Sequence, residues 1–140
     1  MTATVHLVKH PTEEDWMLCK QITLGTVGKT SEIPPTSDWK HKILKARHSP
    51  IRTLEWCFLL EDIPYWVSVH LCRHVHAIPF VKTQRNDRQR ENDRDAARQD
   101  TRVRMYWYMN SEELMTIANK RLCSQAAKET REIVQAMCKL

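Results

Sequence analysis

His70-Leu71-Cys72-Arg73-His74-Val75-His76-Ala77-Ile78-Pro79-Phe80-Val81-Lys82-Thr83-Gln84-Arg85 is the stretch on which the reading of this chain turns. Its first half gathers three histidines, an arginine and a cysteine into seven residues. Asp62-Ile63-Pro64 reads as a helix start with proline in the first turn, and a helix from Tyr65 to about Val75 follows. On that helix His70 and His74, four apart, share one face. The spacing can bind zinc, but no HExxH pattern and no partner Cys or carboxylate pair accompanies it. The histidines are otherwise separate structural residues, or part of a cationic, hydrogen-bonding site for a planar, phosphorylated ligand. The last reading is preferred. The second half, Phe80 to Arg85, alternates and predicts a strand with Val81, Thr83 and Arg85 on one face. A hydroxyl beside an arginine suits a phosphate or a pyrimidine carbonyl, although Thr and Arg are also ordinary on an exposed strand.

Upstream, Val5 to Val8 reads as a short strand. Pro11-Thr12-Glu13-Glu14 opens a helix to about Ile22, capped by Thr12, with Glu13, Glu14 and Asp15 at its positive end. Residues 25–38 hold both glycines and Pro34-Pro35 and form a loop. Trp39 to Ala46 is a short helix broken at His48-Ser49-Pro50. Thr53 to Leu60 reads as a buried strand.

Downstream, residues 85–102 are dense in Arg and Asp, a solvated loop or a short polar helix. Arg104 to Met109 is a strand or a helix lead-in. Asn110 to Leu140 reads as one long helix, with Asn110 and Glu113 in a capping-box arrangement. At 100° per residue Leu114, Ile117, Ala118 and Leu122 define its apolar stripe, and Arg121 falls about 20° from Leu114, with Gln125 about 20° to the other side. Lys128 lies at a similar angle. A guanidinium inside an apolar face is costly unless paired. Arg121 therefore snorkels, pairs with a structural carboxylate, or is aimed into a pocket to bind an anion.

The 140 residues suit one domain, 1–140. Apolar residues make up 41%, enough for a core rather than a disordered chain. Cys19, Cys57, Cys72, Cys123 and Cys138 are odd in number, and none is spaced as CxxC, which predicts reduced thiols in a cytoplasmic protein. No signal peptide and no apolar run of membrane-spanning length is read. A net charge of +5 favours anionic partners: nucleic acid, nucleotides or a phosphorylated cofactor. With Gly25 and Gly28 the only glycines, there is no GxGxxG or Walker pattern, and any phosphate must be held by side chains, chiefly arginine forks.

Arg73-His74-Val75, seven residues, Thr83 and then Arg85 resembles the signature of the flavin-dependent thymidylate synthases: Arg-His-Arg, seven residues, Ser, and Arg two beyond. The flanks are similar in order. Val5 to Val8 with Pro11 and a helix resembles that family's opening. His48-Ser49-Pro50 resembles the stretch before its strand. Asn110 to Leu114 and Asn119 to Leu122 resemble its C-terminal Asn-Ala-x-x-Leu and Leu-Arg helix. The likeness covers nearly the whole chain, which is short for the family, with the contraction after Arg85.

The resemblance implies an α/β (α+β) domain with a central, mostly antiparallel sheet and long helices, assembled as a homotetramer with FAD and substrate between subunits. It implies a reaction in which the methylene of methylenetetrahydrofolate passes to C5 of dUMP, with NADPH replenishing the flavin. By the same resemblance His48, Arg73, His74 and Asn110 contact FAD. Thr83, Arg85 and Arg121 hold the nucleotide, with Arg121 and Thr83 as the catalytic pair. Arg98 is a further nucleotide-binding arginine, with Arg94 as its rival. The sequence departs from the pattern at Val75 (for Arg), Thr83 (for Ser), Val81 (for a carboxylate), His70 (for Gln) and Gln125 (for His). No metal is expected. Two other readings stand beside the enzyme. One is a non-catalytic or re-specialised relative that binds flavin or nucleotide. The other is a nucleic-acid module using the 85–104 arginines, which the interleaved Asp87, Asp93, Asp95 and Asp100 disfavour.

Overall fold

A computed structural model describes residues 2–85, 87–88 and 93–140. The elements run β1 (Thr4–Lys9), α1 (Glu13–Gly25), α2 (Ser37–Lys45), a 3-10 helix (Ser49–Thr53), β2 (Glu55–Pro64), α3 (Tyr65–Leu71), β3 (Ile78–Val81), β4 (Arg102–Asn110), α4 (Ser111–Arg121) and α5 (Lys128–Lys139). The four strands form one sheet in the order β1-β2-β4-β3, every pairing antiparallel. The mixed α/β class and antiparallel sheet match the expectation; the helices, none longer than the 13 residues of α1, are shorter.

Alternation on the central strands explains the layers. On β4, Val103, Met105, Trp107 and Met109 point to one face and are buried, while Arg102, Arg104 and Tyr106 point to the other. On β2, Phe58, Leu60 and Ile63 join that buried face. A bulge between Leu60 and Ile63 keeps Ile63 in phase with the core. It places Asp62 at φ 55°, a left-handed conformation that Asp tolerates better than most residues. The strand therefore runs past Leu60 and alternates, where a fully buried strand ending at Leu60 was expected.

Helices α3, α4 and α5 cover the buried face with Val67, Leu71, Ile117, Ile133, Val134 and Met137. A second cluster (Cys19, Ile43, Ile51 and Leu54) ties α1, α2 and the 3-10 helix together. Among the described residues, the helices that pack on the sheet core do so on the buried face. On the opposite sheet face Val8, Ile78, Phe80 and Tyr106 are exposed. All five cysteines are free thiols. Among the described residues no helix is long and apolar enough to cross a membrane.

Three expectations are corrected. Helix α3 stops at Leu71, not near Val75, and Pro64 is its N-cap rather than a first-turn residue. Residues 72–77 turn instead, with Ala77 N–H donating to His74 O, and this reverses the chain into β3. His70 and His74 therefore do not share a helix face. Second, β3 ends at Val81. It is an edge strand, which is where Pro79 is tolerated. The Thr83 hydroxyl accepts from Arg85 N–H at 3.2 Å and bends the chain away. Thr83 and Arg85 are thus not paired strand residues. Third, the long C-terminal helix is two helices broken at 122–127, because α5 folds back to set Ile133, Val134 and Met137 over the core. Leu122 and Gln125 are exposed in that connection and belong to no stripe.

Candidate functional site

The interior polar cluster is built from the turn after α3 and one face of α4. His74 is buried, its ring tilted against Trp107 with centroids 6.0 Å apart. Arg121, in the last turn of α4, donates from Nε to His74 Nε2 at 2.9 Å and from Nη2 to the His70 carbonyl at 2.7 Å. This settles the anomaly of a guanidinium near an apolar stripe: Arg121 is paired, with an imidazole and a carbonyl rather than a carboxylate. The third member is Glu113, buried on α4, with Oε1 3.9 Å from His74 Nδ1. Burial pushes the Glu113 carboxyl up from its ordinary value. It pushes His74 down, with the charges of Arg121 and Lys120 acting the same way. Burial, and then the nearby positive charge of Arg73, lower Arg121.

Glu113 was read only as the far half of a capping box. Its N–H does donate to Asn110 Oδ1 at 2.9 Å, so Asn110 caps α4, but its side chain turns inward rather than back to Asn110. The spacing of Glu113, Ile117 and Arg121 at i, i+4 and i+8 was the signal available, one face of a helix. The stripe centred on Leu114 and Ala118 looked past it.

Beside this cluster a cleft of about 470 Å³ is lined by Arg52, His76, Asn110, Glu112, Glu113 and Thr116. Arg52 pairs with Glu112, whose carboxyl that contact lowers. Arg47 reaches Thr116 Oγ1 at 2.8 Å. His48 is exposed and is the N-cap of the 3-10 helix that carries Arg52. Arg73 is exposed, and Val75 stands 82% exposed at the turn's tip.

Thr83 lies elsewhere. With Lys82, Gln84, Arg94, Ala97 and Arg102 it lines a second cleft of about 290 Å³. Gln84 Nε2 is buried without a partner among the described residues. Arg85 is tied to Asp87 and Arg98 to Asp100, so each of these arginines already faces a carboxylate. The second cleft sits at the start of β4 and the Asn110 cleft at its finish. Nine residues of strand, about 25 Å, separate them. One chain therefore brings together His74, Arg121, Arg73 and Asn110, and leaves Thr83 and Arg85 apart from them. Val81 packs against the core. No three His, Cys, Asp or Glu gather as metal ligands among the described residues.

Residues 83–140 match the family model described as thymidylate synthase complementing protein. No curated protein matches the sequence. Two solved structures of thymidylate synthase X from Helicobacter pylori, both with FAD and dUMP, are similar in fold at 14% identity. One has a TM-score of 0.75, with 98% of this chain and 92% of that chain covered. The other has a TM-score of 0.79, with 99% and 93% covered.

Proposed function

We propose that the chain is a relative of the flavin-dependent thymidylate synthases and transfers a one-carbon unit, with FAD, to C5 of dUMP or a related pyrimidine nucleotide; the family match over residues 83–140 and the likeness of fold over the chain's length support this reading. The observation that carries this reading is Arg121: part-buried, held from two sides, and close enough to Arg73 to feel its charge. Two guanidiniums brought together make a seat for an anion. As negative charge develops on the pyrimidine or its phosphate, a pre-oriented Arg121 stabilises it without reorganising.

FAD would be held by His48, Arg73, His74 and Asn110. The fit lies in the donor set: Asn110 and His76 line the cleft beside His74, with Arg73 nearby, so a phosphate can be bound by side chains with no glycine-rich loop. The flavin supplies the redox chemistry, NADPH and methylenetetrahydrofolate supply electrons and carbon, and the protein binds and orients. Thr83 contributes a hydroxyl and Gln84 Nε2 a buried donor at the second cleft. Arg85 and Arg98 bind the nucleotide once they leave Asp87 and Asp100.

The wide separation of the two clefts and the exposed Ile78, Phe80 and Tyr106 on the outer face of the sheet support a homo-oligomer, a tetramer in the reading proposed, whose site is completed by the partner subunit. The free thiols suit the cytoplasm. Val75 favours a second reading, a re-specialised or non-catalytic binder: an exposed valine stands where a guanidinium would meet the cofactor.

An absorption spectrum of the purified protein tests the first reading. An oxidised-flavin band, or its appearance on adding FAD, is expected. A colourless protein that takes up no FAD sinks it. Tritium release from 5-tritiated dUMP with folate and NADPH separates turnover from binding alone.

A further inference from the structure

Arg121 Nε–H can only donate, so His74 Nε2 must be an unprotonated acceptor. The ring proton of neutral His74 is then on Nδ1, and Nδ1 faces the buried carboxyl of Glu113 at 3.9 Å. The neighbouring carboxylate, Glu112, is turned to Arg52 instead. The remaining charged neighbours are Lys120 and Arg121 for His74, and His76, Glu112 and Lys120 for Glu113. We propose that Glu113 is a positioning residue: its carboxyl selects the Nδ1–H tautomer of His74, and through that ring it fixes the aim of Arg121.

The opposite tautomer would set an N–H of His74 against the N–H of Arg121, two donors with no acceptor between them. The guanidinium would swing off and keep only its bond to the His70 carbonyl. In the observed arrangement Nε and Nη2 are engaged. Nη1 has no hydrogen-bond partner among the described residues, so it is the nitrogen left for a ligand oxygen. The functional half of this inference rests on Arg121 holding the nucleotide; the tautomer half does not.

The experiment is nitrogen-15 NMR of the histidine rings in the full chain, with dUMP affinity measured alongside. Wild-type His74 is expected to carry its proton on Nδ1 without any ligand present. Glu113→Leu is expected to shift His74 toward the Nε2–H form and weaken dUMP binding about tenfold, close to 1.4 kcal/mol. Glu113→Gln, whose carboxamide oxygen can still face Nδ1, is expected to restore the tautomer and most of the affinity. An Nε2–H tautomer in the wild type overturns the proposal, and so does an unchanged tautomer in Glu113→Leu. Should the leucine variant fail to fold, Glu113→Met takes its place with the same two outcomes. If the wild type binds no dUMP while the tautomer follows Glu113, the proposed substrate is wrong and the positioning role stands. If dUMP binds but the tautomer ignores Glu113, the reverse holds.

Discussion

Arg121 commits two of its nitrogens to its own protein, a structural role, and under the proposed function it also holds the nucleotide. Replacing it with Gln is expected to lower nucleotide affinity by tenfold to a hundredfold, about 1.5–3 kcal/mol, as titration calorimetry would read. Glu113 carries a cost in stability. Its folded pKa is raised, so its contribution is fully present below the ordinary value of 4.5 and is lost as pH rises through the folded value. His74 has the opposite sign: lowered from 6.5, its contribution is present above that value and is lost as pH falls. Glu113→Gln removes only the first dependence. Its melting temperature relative to wild type is expected to rise between pH about 4 and pH about 7, and a flat difference would contradict the burial of this carboxyl. At this scale the sequence disclosed Arg121, because a charge among apolar residues is visible in periodicity. It did not disclose Glu113. A glutamate three residues after an Asn reads as a cap, and only the turn at residues 72–77 brings His74 over it.

The elements were legible where local chemistry fixes them. Thr12 and Asp15 form the full capping box at α1, with Asp15 Oδ2 accepting from Thr12 N–H at 2.8 Å. Thr12→Ala is expected to lower stability by about 1 kcal/mol in denaturant unfolding. Because hydrogen bonds to Thr12 hold Asp15 below its ordinary value, part of the wild type's stability should fade as pH drops through that range, and the variant should fade less. The elements that were misjudged are those whose ends are set by distant contacts. Nothing between Leu122 and Ala127 is a strong helix breaker, yet the chain breaks there, because a straight helix could not return Val134 and Met137 to the sheet. Likewise α3 stops at Leu71 so that His74 can turn inward and β3 can reach Trp107. Hydrogen exchange is expected to be fast at 123–126 and slow on both flanking helices.

At the scale of the molecule, the layers were not legible, because Thr53 to Leu60 looked wholly apolar and read as a buried strand, which hid the exposed outer face. Phe80, 61% exposed on the edge strand, stands with Ile78, Tyr106 and Val8 on that face. Sedimentation is expected to give a mass several times 16.6 kDa, and Phe80→Lys to reduce it, with the isolated chain still folded because the helix-covered core lies on the other side. A monomer in the wild type would refute this. In the basic segment, among the described residues, Arg85 meets Asp87 and Arg98 meets Asp100, so these two arginines present paired charges to a polyanion.

The placement of Thr83 and Arg121 toward opposite ends of β4 has a genetic consequence. If the site is shared between subunits as proposed, two defective alleles, one altered at Thr83 and the other at Arg121, would each ruin a different half of it. Expressed together, their products would assemble at random across a two-fold interface. About a quarter of the sites would then unite two intact halves. A cell holding both broken copies is expected to recover activity that neither copy supports alone.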